Sequence, residues 1–126
     1  MAIVYPTAIK NARLDAVAAG IDGGAAAGKI EIGTAGMALV LATIALNDPC
    51  ASAASSGVLT LAGFPKSDIS ADASGTAAAA RIRDSNDVDI ITGLTVGTSG
   101  TDIVLDSVNI TAGQTVTIDS ATITHA

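Results

Sequence analysis

From Lys29 onward, apolar residues recur at alternate positions in short runs, and each run ends at Gly, Pro, Asn, Asp or Ser. Ile30 and Ile32 alternate with Lys29 and Glu31; Ala80, Ile82 and Asp84 alternate with Arg81 and Arg83. A period of two sends successive side chains to opposite faces of a pleated strand, so these runs predict strands. Turn residues arrive about every ten positions, the rhythm of an antiparallel sandwich or barrel with about eight strands. Met37 to Leu46 is apolar on both faces, as a central strand of a two-layer structure would be. Ala51–Gly57, Phe64–Asp68 and Gly97–Thr101 read as loops or turns, and Ser70–Thr76 has no clear period.

The last third contains an internal echo. Leu105-Asp106-Ser107-Val108-Asn109-Ile110-Thr111 is matched thirteen residues later by Ile118-Asp119-Ser120-Ala121-Thr122-Ile123-Thr124. In each copy the apolar phase flips across Asp-Ser, from Leu105 to Val108 and from Ile118 to Ala121. Such a flip needs one extra residue, a β-bulge or tight bend. Two kinked strands joined at Ala112-Gly113-Gln114 are therefore expected to pair as a hairpin.

Only the beginning breaks this pattern. Leu14, Val17, Ala18 and Ile21 follow helical three-and-four spacing, with Lys10, Asn11, Arg13 and Asp15 pointing elsewhere. Thr7 after Pro6 is the expected N-cap, and Gly20, Gly23 and Gly24 the stop. The stripe is narrow, so the helix should lie on a sheet or a partner. The expected organisation is one domain over 1–126: a helical arm at 1–24 and a β domain at 28–126. The fold class is mainly β, an antiparallel β-sandwich or barrel-like fold with a short N-terminal helix.

The core must be aliphatic. Of the 49% apolar residues much is alanine, with one Phe (Phe64), one Tyr (Tyr5) and no Trp. Aromatic rings bury about 150–250 Å² each, so a chain without them has a thin core that leans on neighbouring subunits. Net charge is −6, and the six Lys and Arg are scattered. That distribution excludes the basic footprint of a nucleic-acid binder and the polybasic patch of an anionic-lipid binder. Met1–Ile21 lacks the apolar run of a secretory signal, and the uncharged stretch Ile32–Leu46 falls short of the roughly 20 residues of a membrane span. Cys50 is alone, so no internal disulfide forms.

No motif concentrates chemistry. Asp84-Ser85-Asn86-Asp87-Val88-Asp89 resembles the start of a calcium loop, but Val88 takes a ligand position and the Gly and distal Glu are missing. A hairpin turn explains it better, since Asp and Asn accept local backbone bonds and tolerate left-handed geometry. Asp106 and Asp119 are the natural carboxylate pair, yet both sit at kinks beside Ser and read as solvated bulge residues. His125, the only histidine, has no partner in the sequence pattern. Neither a nucleophile elbow nor a phosphate loop occurs. The chain is expected to be no enzyme, with no cofactor and no metal. Arg81 and Arg83 share a strand face, and Arg is enriched at protein interfaces.

Several segments carry a likeness. Thr7-Ala-Ile-x-x-Ala-Arg-Leu-Asp-Ala-Val17, Ile32-Gly-Thr-Ala-Gly-Met-Ala38, Ser56-Gly-Val-Leu-Thr-Leu-Ala-Gly-Phe-Pro65, Gly75-Thr-Ala-Ala-Ala-Ala-Arg-Ile-Arg-Asp-Ser85 and Asn109-Ile-Thr-Ala-Gly-Gln-Thr-Val-Thr-Ile118 resemble small virion proteins of tailed bacteriophages and prophages. The likeness runs from Thr7 to His125. It implies a structural protein of the head module, decorating and cementing the outer capsid surface through the major capsid protein. It also implies self-association, as a trimer, and synthesis in the bacterial host cytoplasm, with no nucleic acid or membrane as partner. The expected contacts are Ile9, Arg13, Leu14, Val17 and Ile21 on the helix and Arg81 and Arg83 on their strand. A head–tail joint, tail tube or fibre subunit is the alternative within the virion. A carbohydrate-binding or adhesive β-module is the alternative of another class, though Tyr5 and Phe64 are the only rings it could stack on a sugar.

Overall fold

A computed structural model describes residues 5–23, 27–47, 50, 51 and 53–124. Of the residues singled out above, Gly24 and His125 lie outside the described residues. The elements in chain order are α1 (Thr7–Ile21), β1 (Lys29–Gly33), a 3-10 turn (Ala35–Met37), β2 (Val40–Ala45), β3 (Val58–Thr60), β4 (Lys66–Asp68), β5 (Gly75–Thr76), β6 (Ala79–Arg83), β7 (Asp89–Leu94), β8 (Val96–Gly97), β9 (Ile103–Leu105), β10 (Asn109–Ile110) and β11 (Val116–Thr124). The fold is mainly β with one N-terminal helix, in a sandwich-like arrangement of antiparallel sheets.

One sheet has the order β2-β1-β6-β7. Its alternation holds as read: Ile30 lies between Ile44 and Ile82, and Ile32 between Ala42 and Ala80, all buried. Lys29, Glu31, Arg81 and Arg83 take the other face. The second sheet, β3-β11-β9-β8, is built around β11, which also pairs with β4. Buried residues of both sheets, among them Ile30, Leu41, Ile82, Leu59, Leu105 and Ile118, form one continuous core. No described aromatic side chain is fully buried: Phe64 is half-buried and Tyr5 exposed. The interior is aliphatic, as the composition requires.

Two side-chain devices join the sheets. At the outer edge of β2, Asp68 Oδ2 accepts the Thr43 N–H at 3.1 Å and the Asp72 N–H donates to Leu41 O at 2.8 Å, while β4 pairs with β11. At the opposite corner, where β7 passes into β8, Asp102 Oδ2 accepts from the Thr95 N–H (3.0 Å) and hydroxyl (3.1 Å). Thr95 Oγ1 accepts the Asp102 N–H in return.

The echo is half right as a pair of kinked strands. In the second copy β11 runs through Asp119 with a register shift between Ile118 and Ser120, so Val116, Ile118 and Ala121 are all buried. That is the expected bulge. In the first copy Ser107 Oγ accepts the Asn109 N–H at 3.2 Å and the chain turns away. A hydroxyl that captures a nearby backbone N–H competes with the ladder. β9 therefore ends at Leu105, and β10 leaves to pair with β5. Other expectations shift locally. Lys66–Asp68 is a strand rather than a turn, β2 starts at Val40 because Met37 adopts a left-handed φ of 58°, and β2 is an edge strand rather than a central one, its outer side covered by the 68–72 segment.

Helix α1 packs against β3 and β7, one strand from each sheet. It begins at Pro6, whose carbonyl accepts the Ile9 and Lys10 N–H groups, so Thr7 is the first helical residue and not the cap. The loop expected at Ala51–Gly57 is half of a hairpin that runs beside it. Ser55 and Val58 exchange two backbone bonds around Ser56 (φ 55°) and Gly57 (φ 72°), the left-handed pair of a type I′ turn. Along this hairpin, Gly57, Ala54 and Cys50 donate backbone N–H groups to Asn11 Oδ1 (2.9 Å), Asp15 Oδ1 (2.8 Å) and Asp22 Oδ1 (3.1 Å). Asn11 and Asp15 stand one helical turn apart and Asp22 two turns further, so one polar stripe clasps the hairpin. The helix is thus docked on the β domain.

Removing a charged acceptor from such a bond costs about 1.5–3 kcal/mol. Asp22→Ala is expected to lower unfolding stability by about that much, and Asp22→Asn by less, since its amide oxygen still accepts. Urea denaturation of the purified chain measures both.

Candidate functional site

Two surfaces gather the side chains that the sequence singled out. The first is the outer face of the β1/β6 pair. Glu31 lies directly opposite Arg81 in the register and accepts from Arg81 Nε at 2.6 Å. Arg83 Nε stands 3.5 Å from the same carboxylate and donates to Asp89 Oδ1 at 2.6 Å. Lys29 pairs with Asp87. Three cations and three anions meet on this face, and Glu31 is the one buried charged residue among those described. Arg81 and Arg83 are therefore committed to their own sheet. Sequence reasoning found the two arginines and missed Glu31, because only the β1–β6 register brings residues fifty positions apart into line.

This ladder displaces two titrations. The Asp87 carboxyl is held below its usual 3.8, chiefly by the hydrogen bond from the Lys29 ammonium and its charge, with Arg83 and Arg81 adding and desolvation opposing. The Arg83 guanidinium is pushed up, first by its hydrogen bond to Asp89 and then by the charges of Glu31, Asp89 and Asp87, against desolvation.

The second surface is the outward face of α1. Ile9 is 45% exposed, and Arg13 is exposed with its guanidinium carbon 4.9 Å from the centre of the Tyr5 ring. Cation–π contacts at such sites are worth about 0.5–1 kcal/mol and hold the two side chains together. Lys10 and Arg13 take part in no ion pair among the described residues. Leu14 and Ile21 must be corrected as contact residues. At 3% and 0% exposure they fill the protein's own core, because the narrow apolar stripe is used up on β3 and β7. Val17 is half-buried beside them. Of the helix residues expected to meet a partner, Ile9 and Arg13 stay available.

The remaining candidates resolve as structure. The Asp84–Val88 segment is a turn: Asp84 Oδ1 accepts from the Asn86 N–H (2.9 Å) and the Val88 N–H (3.0 Å), and Asp87 takes a φ of 64°. Asp106 and Asp119 are exposed, and Cys50 is buried with its thiol 3.8 Å from Ala18 O. The described surface holds no cavity and no cluster of three or more metal-ligating side chains, and no helix long and apolar enough to cross a membrane. Compared with family models, curated proteins and solved structures, the chain gives no significant match.

Glu31→Gln is expected to cost about 1–3 kcal/mol in denaturant unfolding, because it leaves two half-buried guanidinium groups without their shared anion. The Lys29–Asp87 pair carries a pH signature. A depressed carboxyl stabilises the fold above its unfolded pKa and ceases to do so as pH falls through the folded value. The stability gap between wild type and Asp87→Asn is expected to hold steady above pH 3.8 and to close below it, as thermal unfolding across an acid series would record.

Proposed function

We propose that this protein is a structural virion component that decorates the outer surface of a tailed-phage head and cements the shell through the major capsid protein. The likeness of its segments to small phage virion proteins supplies the context. The observation that carries the reading is the outward face of α1, where Ile9 and Arg13, with Tyr5 just ahead of the first turn, are displayed on a helix clasped to the β domain by three side chains. A contact surface is useful when it is held rigidly, since little conformational freedom is then lost on binding. The charge supports the outer side of the shell: a chain of net charge −6 is repelled by packaged DNA. A core without buried rings suits a protein that gains stability from the surface beneath it. Ile9 and Arg13 are the residues assigned to the shell contact.

A reconstruction of the parent particle by electron cryomicroscopy tests this. The expected result is many copies spread over the outer shell, and capsids that disrupt at lower temperature when the protein is left out. Copies confined to one vertex, or stacked in tail rings, would overturn it and favour a head–tail or tail component.

A further inference from the structure

We propose that the Asp106-Ser107 junction is where the folded chain rearranges aspartate to isoaspartate. The inference stands whether or not the chain coats a capsid. In this rearrangement the main-chain N of the following residue attacks the aspartate Cγ. Its proton and the carboxyl OH leave as water, and a succinimide ring closes. Water then breaks either ring bond to that nitrogen. Breaking the Cγ bond restores aspartate. Breaking the main-chain bond routes the chain through Cβ and Cγ and frees the former main-chain carbonyl as the carboxylate. Composition and charge are unchanged, and water is the only co-reactant. A small following residue lets the ring close, and glycine, which has no Cβ, does so most readily. Four aspartates precede Gly or Ser: Asp22, Asp84, Asp106 and Asp119. The chemistry of the chain alone ranks Asp22-Gly23 first.

The fold reverses that ranking. Both Asp22 carboxylate oxygens accept the Cys50 N–H, at 3.1 and 3.2 Å, and the attacking group, the Gly23 N–H, donates to Gly20 O at 3.2 Å. Asp84 Oδ1 is held by the Asn86 and Val88 N–H groups. Asp119 and Ser120 lie within β11, with Ser120 in register with Val104 of β9, and a paired strand does not fold a carboxyl back onto the next N. Asp106 differs on every count. It is exposed, its carboxylate accepts no hydrogen bond among the described residues, and the Ser107 N–H donates none. The cause is the one that ends β9. Ser107 Oγ captures the Asn109 N–H and the chain turns off, so the Asp106-Ser107 peptide belongs to no ladder.

The site also tolerates its product. The extra main-chain carbon enters after the Asp106 Cα. The Asp106 N–H, which donates to Thr117 O at 3.2 Å, and the buried Leu105 both lie before it. At the three guarded aspartates the structure must first open locally. Breaking a charge-assisted bond such as the one on Asp22 lowers the reactive population by about tenfold or more.

Incubation of the full chain in warm neutral buffer made with heavy-oxygen water tests the proposal. Each ring opening inserts one heavy oxygen, and electron-transfer fragmentation of the proteolytic peptides locates the rearranged residue. A parallel sample in urea runs until all four sites have reacted. The expected order in urea puts Asp22 first. In the folded chain Asp106 is expected first, with Asp22 slowed by about tenfold or more against its rate in urea. Asp106→Glu, whose longer side chain closes a larger and less favourable ring, should lose most of the label that the folded chain acquires, with an unchanged circular dichroism spectrum. A folded chain that rearranges first at Asp22, Asp84 or Asp119 would overturn the proposal. So would one that leaves Asp106 unreacted when the urea sample has rearranged there, or an Asp106→Glu variant that keeps the label.

Discussion

The second sheet depends on one extra residue. β11 pairs with β3 and β4 and, along its middle, with β9, so its side chains must serve the core over nine residues. A strict period of two would send the apolar residues beyond Asp119 to the outside. The bulge at Asp119 resets the phase, so that Val116 and Ile118 before it and Ala121 after it all reach the interior. Without that reset, half of the strand on which the second sheet is assembled would face the wrong way.

Aspartate has an unusual job in this chain. Asp15, Asp22, Asp68, Asp84 and Asp102 each accept backbone N–H groups at places where regular pairing stops: beside the hairpin, along the β2 edge, in the 84–88 turn and at the β7–β8 corner. Short carboxylates suit this, since they reach neighbouring main-chain donors with little rotamer entropy to lose. The excess of acid over base thus reflects closure of the fold at its irregular points as much as surface charge. Opposite-charge pairing is concentrated in one place, the ladder around Glu31.

What could be read from the sequence was local. The alternation at Ile30–Ile32 and Ala80–Asp84, the phase flip at Asp119 and the Asp84–Asp87 turn all depend on residues within a few positions of one another, and all hold. The same holds for the aliphatic core, which follows from the lack of rings. What escaped was set by partners distant in the chain. Lys66-Ser67-Asp68 has no apolar rhythm, and becomes a strand only because β11 lies beside it. Asn11, Asp15 and Asp22 look like solvent-facing residues until a hairpin 28 to 46 positions on presents its N–H groups. The helical positions of Leu14 and Ile21 predicted burial correctly, but only the packing on β3 and β7 shows that the burying surface belongs to the same chain. Ser107 and Ser120 occupy matching places in the echo, and only the first captures a backbone donor and ends its strand.

The clasp between α1 and the hairpin has a consequence for solubility. The stretch containing Cys50, Ala54 and Gly57 is the outermost line of the second sheet, next to β3. Its N–H groups face outward, and an open row of this kind recruits strands from other molecules into amyloid-like stacks. Asn11, Asp15 and Asp22 occupy those donors with groups that cannot propagate a ladder. The helix is in this sense a lid on a polymerisable margin, covering with side chains the donors that an added strand would need.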